Sequence, residues 1–184
     1  MKKETALLVI VTLVVGGLIG AIITGQSTKT QVNNEHDTHV AANVDSQKDI
    51  QLLVDLVKTE PDNRNAWVQL GNKYFDTNQL MDAIEAYDNA LAIDRNDPDV
   101  LTDQGVMYRR IGWYQKAIEN FLEANKVNSQ HTQSLLNMGI VYSFDLEEKE
   151  KAKEAWLKYL EIDSTSSTAD RVRTMIDHME NGHG

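Results

Sequence analysis

From residue 46 onward the chain consists of short blocks in which apolar residues recur at every third or fourth position. This is the period of amphipathic helices. The blocks themselves return at an interval of 34 residues. The glycines and the tyrosines three positions after them show it: Gly71, Gly105, Gly139, Tyr74, Tyr108 and Tyr142. Small and aromatic residues keep the same step: Ala83 and Ala117, Tyr87 and Phe121, Ala90 and Ala124, with Ala152 and Trp156 one residue late. A repeat of this length predicts an array of helical hairpins.

Glycine inside a predicted helix requires an explanation. Gly71 costs about 1 kcal/mol relative to alanine in a helix interior. We expect the glycine and alanine positions to let paired helices approach closely, while the rings at Tyr87, Phe121 and Trp156 fill the space between the pairs. Packing of that kind supplies most of the stability of helices in proteins, so it offsets the loss.

Helix-start signals divide the array. Asp97 and Pro98 form an N-cap followed by proline at the first helical position, and Ser46 with Asp49 resembles a capping box. We predict eight helices. They are a leading helix at 46–60, three hairpins at 64–97, 98–131 and 132–166, and a C-terminal capping helix and tail at 167–184. The extra residue of the third hairpin is expected in its charged loop, residues 145–151.

The repeated pattern W-x2-LG-x2-Y, A-x3-F, A and P resembles the tetratricopeptide repeat (TPR) family over residues 46–163. Matching positions in the first repeat are Trp67, Leu70, Gly71, Tyr74, Ala83, Tyr87 and Ala90. The resemblance implies an all-α, right-handed solenoid of three full repeats between a leading and a capping helix. Gln104 stands where the family usually has leucine. It is either a local destabiliser or a polar contact.

The N-terminus has the pattern of a membrane segment. No charged residue occurs from Thr5 to Thr28, and about 20 apolar residues span a bilayer. We predict a transmembrane anchor at 1–24, with a cleaved signal peptide as the alternative, and a flexible polar linker at 25–45. Lys2 and Lys3 favour a cytoplasmic N-terminus and a periplasmic repeat domain at a bacterial inner membrane. The spacing of Gly16 and Gly20 suits association of two such helices, hence a homodimer.

The composition of the chain argues against several kinds of chemistry and partner. The 184 residues include no cysteine, which excludes disulfides and thiol catalysis, and the net charge of −10 disfavours nucleic acid as a partner. No phosphate-binding, serine-hydrolase or zinc-protease motif occurs. His36 and His39 lack a third ligand nearby, so we expect linker residues and no metal. The sequence therefore predicts neither an enzyme nor a cofactor.

The resemblance places a peptide-binding groove on the first helix of each hairpin. In the family's register, four positions of that helix face the concave side, and Arg110 lies beside them. The residues expected to line the groove are Asn65, Val68, Asn72, Phe75, Thr102, Val106, Arg109, Arg110, Leu136 and Ile140. They combine an apolar floor with amide and guanidinium donors, which suits a peptide with apolar side chains and one carboxylate. TPR domains that bind chaperone C-termini use a Lys, Asn and Arg clamp, of which only Asn72 matches.

Three functions follow from this organisation. The leading hypothesis is a membrane-anchored scaffold that binds a protein or peptide in its groove and assists assembly of an envelope complex. A membrane anchor followed by a few repeats also resembles the TPR subunits of cytochrome c maturation, which present apocytochrome tails. A self-associating structural protein is the third possibility.

Overall fold

The computed structural model describes residues 35–182, and over that range the regular secondary structure is all helix. The eight α-helices are α1 (Glu35–Thr59), α2 (Arg64–Asp76), α3 (Leu80–Ile93), α4 (Pro98–Arg110), α5 (Tyr114–Val127), α6 (Thr132–Ile140), α7 (Lys149–Ile162) and α8 (Ser167–Asn181). A π-helical segment, Val141–Asp145, extends α6. The described helices include none that is both long and apolar enough to cross a membrane. The predicted anchor, with Gly16 and Gly20, lies outside the described residues.

The first helix begins earlier than the sequence predicts. α1 starts at Glu35, inside the stretch expected to be a flexible linker, and Ser46 and Asp49 lie within it. The physical reason is that residues 35–59 contain neither glycine nor proline, and extending an existing helix is far easier than nucleating one. The carboxylate of Asp49 forms an ion pair with Lys73 of α2 (2.8 Å) instead of capping a helix start.

The predicted hairpins are present, and each is closed by a ring lying on a glycine. α2 packs on α3, α4 on α5, and α6 on α7. A Cβ on Gly71, Gly105 or Gly139 would collide with the ring of Tyr87, Phe121 or Trp156 respectively. Each ring therefore contacts the glycine of its own hairpin, and all three rings belong to the core that joins the hairpins. The three rings are completely buried.

The first helix of each hairpin starts at a side-chain cap that recurs with the repeat. Asn63 accepts a hydrogen bond from the amide of Ala66, and Asp97 accepts from the amides of Asp99 and Val100. His131 occupies the same place before α6 and accepts through Nδ1 from the Ser134 amide (3.3 Å). These side chains satisfy amide groups that have no partner inside the helix. They fix where each hairpin begins.

The third hairpin takes up its extra residue in a helix and not in its loop. The turns of the first two hairpins place Asn78 (φ 61°) and Gly112 (φ 81°) in the left-handed region, and Glu147 (φ 57°) occupies the equivalent place in the third. Ahead of Glu147, the segment 141–145 has π-helical geometry, which accommodates one more residue within the same helix length. All three turns therefore keep one form, and the prediction of a longer charged loop is wrong.

The hairpins share a continuous core that runs from α3 to α8, while α1 packs on α2 and α3 through a smaller cluster that includes Ile50 and Val57. The last helix closes the array as expected for a terminal amphipathic helix. Val172 of α8 is fully buried, and Met175, Ile176 and Met179 pack beside it. The all-α repeat architecture predicted from the sequence is thus confirmed.

Candidate functional site

The first helices α2, α4 and α6 carry a row of apolar side chains that remain partly accessible. Val68, Phe75, Val106, Leu136 and Ile140 are half-buried, and each packs against the core with its inner side. We call the surface formed by these five residues together with Asn65 and Asn72 the first-helix face. It contains most of the groove residues that the sequence predicts.

Two amides of the predicted groove are exposed on α2. Asn65 and Asn72 both reach solvent. Asn72 is held in place because its Oδ1 accepts a hydrogen bond from the hydroxyl of Tyr87 (2.8 Å). Burial raises the pKa of the Tyr87 phenol, so this hydroxyl keeps its proton at neutral pH. The Nδ2 group of Asn72 is the donor that this arrangement directs away from Tyr87.

Thr102 does not line the face. Its side chain is only 2% exposed, and its Oγ1 lies 3.5 Å from Nδ1 of His131. Thr102 is equivalent to Val68 and Leu136 of the other repeats. It is buried because the imidazole of His131, the cap of the following hairpin, lies over it. His131 Nε2 also lies 3.0 Å from Oδ1 of Asp99. Thr102 therefore does not line the groove, contrary to the prediction from the sequence.

The arginines of the predicted groove are engaged with other side chains. Arg109 forms an ion pair from its Nε to Oδ2 of Asp145 (2.5 Å), at the end of the π-helical segment. Arg110 is exposed, donates to Oδ1 of Asn78 (2.6 Å) and stacks on the ring of Phe75 at 5.9 Å. Both arginines link one hairpin to the next, and the charge of Arg109 is balanced within the fold.

A cavity of about 240 Å³ lies between the first two hairpins and has an acidic lining. Asn72, Phe75, Asp76, Tyr87 and Asp103 form its walls. Burial raises the pKa of Asp103 to about 6, and the carboxylates of Asp99, Asp97 and Asp76 add to this, against an opposing contribution from His131. Asp103 is not among the groove residues that the sequence predicts. Its position between Thr102 and Val106, two predicted groove residues, is the sequence signal that could have identified it.

The described side chains, from residue 45 to 182, contain no group of three or more histidines or carboxylates arranged to hold a metal. The first-helix face offers apolar area and amides, and the cavity beside it adds the carboxylates of Asp76 and Asp103. These features are typical of a surface that recognises a peptide segment.

Comparisons with known proteins agree with this architecture. A family model described as "TPR repeat" matches residues 71–112, and one described as "Tetratricopeptide repeat" matches residues 98–131. The crystal structure of MamA superposes with a TM-score of 0.71 at 22% identity, covering 84% of this chain and 86% of that one. The first TPR of Spaghetti (RPAP3), solved with the HSP90 peptide SRMEEVD, gives a TM-score of 0.59 at 21% identity, covering 65% and 91%.

Two curated relatives are similar in sequence. The formate-dependent nitrite reductase complex bifunctional subunit NrfFG of Haemophilus influenzae is 22% identical over 84% of this chain and 41% of its own length. The photosystem I assembly protein Ycf3 of Parasynechococcus marenigrum is 30% identical over 49% of this chain and 47% of its own. This chain thus spans less than half the length of either relative. The family models show tetratricopeptide repeats over residues 71–131, and the solved structures show the same repeat fold over most of the chain. Proteins with such repeats mediate protein–protein interactions.

Proposed function

We propose that this protein is a membrane-anchored scaffold whose first-helix face binds a segment of a partner protein and assists assembly of an envelope complex. The observation that carries the proposal is the apolar row itself. Five apolar side chains on the first helices of three successive hairpins remain partly accessible although each contacts the core. An apolar strip with amides at its border suits a helical or extended segment with apolar side chains.

The charges of the face refine the ligand. Arg109 and Arg64 are paired with Asp145 and Asp97, whereas Asp76 and Asp103 line the cavity beside Phe75. Opposite charges across an interface favour association, and like charges facing each other are costly. We therefore propose a segment with a lysine or arginine beside its apolar residues, in place of the carboxylate expected from the sequence.

Two similarities support a role in assembly. One relative is named as a photosystem assembly protein, and one structural neighbour holds a peptide. The peptide in that neighbour, SRMEEVD, is acidic, so the acidic cavity of this chain argues for a ligand of different charge. A role in cytochrome c maturation stays a prediction, because no described residue is specific for an apocytochrome tail.

Site-specific photo-crosslinking in intact cells tests the binding face. A benzophenone amino acid at Phe75, beside the acidic cavity, is expected to crosslink to one partner. The matched control is the same probe at Leu157, an exposed apolar residue of α7. Val106→Asp on the same background is expected to reduce the Phe75 crosslink at least about tenfold, because a carboxylate then has to be desolvated at the interface. Equal crosslinks from both positions, insensitive to Val106→Asp, would contradict the proposal.

The proposed anchor and location have their own test. The N-terminal span is expected to place the repeats in the periplasm, so a C-terminal alkaline phosphatase fusion should be active. Exchanging Lys2 and Lys3 for glutamate should lower that activity, since the positive charges set the orientation. An inactive fusion of the unchanged chain would reject this topology, while leaving the binding face untouched.

A further inference from the structure

α1 exposes a leucine at a position that is buried in α3 and α7 and half-buried in α5. The side chain of Leu52 is 68% exposed. The equivalent residues of α3 and α7 are Ala86 and Ala155, which are 1% and 2% exposed. Ala86 is covered because α1 packs on it. Leu52 therefore lies where another helix would stack, and among the described residues no helix precedes α1.

The charged residues around Leu52 are ordered so that an identical helix running in the opposite direction would place opposite charges beside them. Asp45, Lys48, Asp55 and Lys58 are all exposed and alternate in sign along α1. When the helix is read backwards against itself, position 45 meets 58 and position 48 meets 55. Both pairs have opposite charges and share one midpoint, between Gln51 and Leu52. The spacings of three and four residues from Asp45 to Asp55 keep these side chains near Leu52 on one side of the helix.

We propose that this face of α1 binds a second copy of the same chain in an antiparallel arrangement. A two-fold axis beside Leu52 would bring it against the partner's Leu52. Lys48 would then lie opposite the partner's Asp55, and Asp45 opposite the partner's Lys58, which gives four ion pairs in the dimer. An interface of this kind is isologous, because the same patch serves both subunits.

The contacts that these residues make within one chain do not oppose the arrangement. Asp55 accepts hydrogen bonds from Gln51 Nε2 (3.1 Å) and Lys58 Nζ (3.3 Å) of its own helix. Exposed pairs of this type contribute little, so exchanging them for pairs across the interface costs little. Neither partner has to change its backbone.

The size of the face predicts a weak dimer. Residues 45–58 extend about 20 Å along a helix, and the strip has one exposed leucine, Leu52, at its centre. Stable interfaces bury about 800 Å² per partner, which this strip does not reach. Pairing of two copies held in one membrane, as in the anchored protein proposed above, would gain from their high effective concentration. The pairing itself depends only on α1 and not on the first-helix face.

Disulfide crosslinking of the full chain in membranes tests the two-fold axis. The protein has no cysteine, so Leu52→Cys introduces a unique thiol. Oxidation with copper phenanthroline is expected to yield a covalent dimer, because two thiols beside the axis come within disulfide range. The matched control is Leu157→Cys, also an exposed leucine of a helix, which should stay monomeric. Absence of a Leu52→Cys dimer, or equal dimers from both variants, would overturn the proposal.

Charge reversal in the Leu52→Cys background tests the pairing order. One variant carries Asp45→Lys and Asp55→Lys, and the other carries Lys48→Asp and Lys58→Asp. Each variant alone is expected to give at least about tenfold less covalent dimer than the Leu52→Cys parent, because all facing charges become alike. A mixture of the two, one with an affinity tag, should recover the crosslink as a heterodimer. Either variant crosslinking alone as the parent does, or a loss that mixing does not restore, would contradict the assignment.

Discussion

The ring of Phe121 lies against the α-carbon of Gly105, so closely that a Cβ there would stand 2.5 Å from ring atom Cε1. The same relationship joins Tyr87 with Gly71 and Trp156 with Gly139. Because the aromatic ring is fully buried and cannot withdraw, the approach of the two helices depends on the missing side chain. The propensity lost by a helical glycine is thereby offset in packing.

We therefore expect Gly105→Ala to destabilise the protein, although alanine is the better helix former. Overpacking costs about 1–3 kcal/mol and the gain in helix propensity is about 1 kcal/mol. The Cβ contact of 2.5 Å is a severe overlap, so the cost should be near the upper end of that range and a net loss of about 2 kcal/mol should appear in urea unfolding. The double variant Gly105→Ala with Phe121→Leu is the control, since a smaller side chain relieves the collision. A single variant as stable as the parent protein would contradict this account.

Gln104 is a polar link between hairpins. It is 3% exposed, donates through Nε2 to Asp88 Oδ1 (2.7 Å) and to the carbonyl of Ile84 (3.2 Å), and accepts from Asn120 Nδ2 (2.7 Å). Of the two alternatives that the sequence leaves open, the structure supports the polar contact.

Gln104→Leu is therefore expected to lower the free energy of unfolding by about 1–2 kcal/mol, although leucine is usual in the family. The loss comes from buried polar groups left without partners. Chemical denaturation of Gln104→Leu, Asn120→Ala and the double variant measures the coupling. A double variant that loses the full sum of the two single effects would show that the two side chains are independent.

Asp103 gives the fold a specific dependence on pH. Burial, reinforced by neighbouring carboxylates, raises its pKa to about 6 from the ordinary value of 3.8. The folded state then binds more protons than the unfolded state between about pH 4 and 6, so stability falls as the pH rises through this window. Asp103→Asn should remove that fall.

Thermal unfolding across pH 4–8 checks the expectation. Asp103→Asn should be more stable than the parent above pH 6, by about 1 kcal/mol because solvent screens a half-buried group, and equal to it near pH 4. Asp163 has a pKa lowered to about 2 by hydrogen bonds from Ser166 and Tyr159, so its contribution changes below this window. Parallel pH profiles for the two proteins would refute the assignment.

The turn of the third hairpin contains a removable strain. Glu147 has φ of 57°, where the second hairpin has Gly112 with φ of 81°. A side chain in the left-handed region costs about 1–2 kcal/mol, and glycine gives back part of that through its larger unfolded-state entropy. Glu147→Gly is expected to stabilise the protein by about 0.5–1 kcal/mol. Gly112→Ala is the matched reverse change and should destabilise it. Melting temperatures that move in the same direction for both would exclude this explanation.

The sequence by itself determined the features that depend on local order and on the repeat. Helix number, the paired glycines and rings, and the apolar row on α2, α4 and α6 all follow from a period that superimposes equivalent residues. The cap at Asp97 is local too. It needs only a carboxylate within reach of the next few amides.

Only the tertiary structure decided the contacts made by residues far apart in the chain. Thr102 is buried because His131 comes from the following hairpin, and Arg109 meets Asp145 at the end of a π-helical turn that no local signal marks. The charge proposed for the ligand, basic instead of the carboxylate predicted from the sequence, also depends on such long-range contacts. Which charges remain unbalanced depends on partners from other repeats, and a linear pattern does not contain those distances.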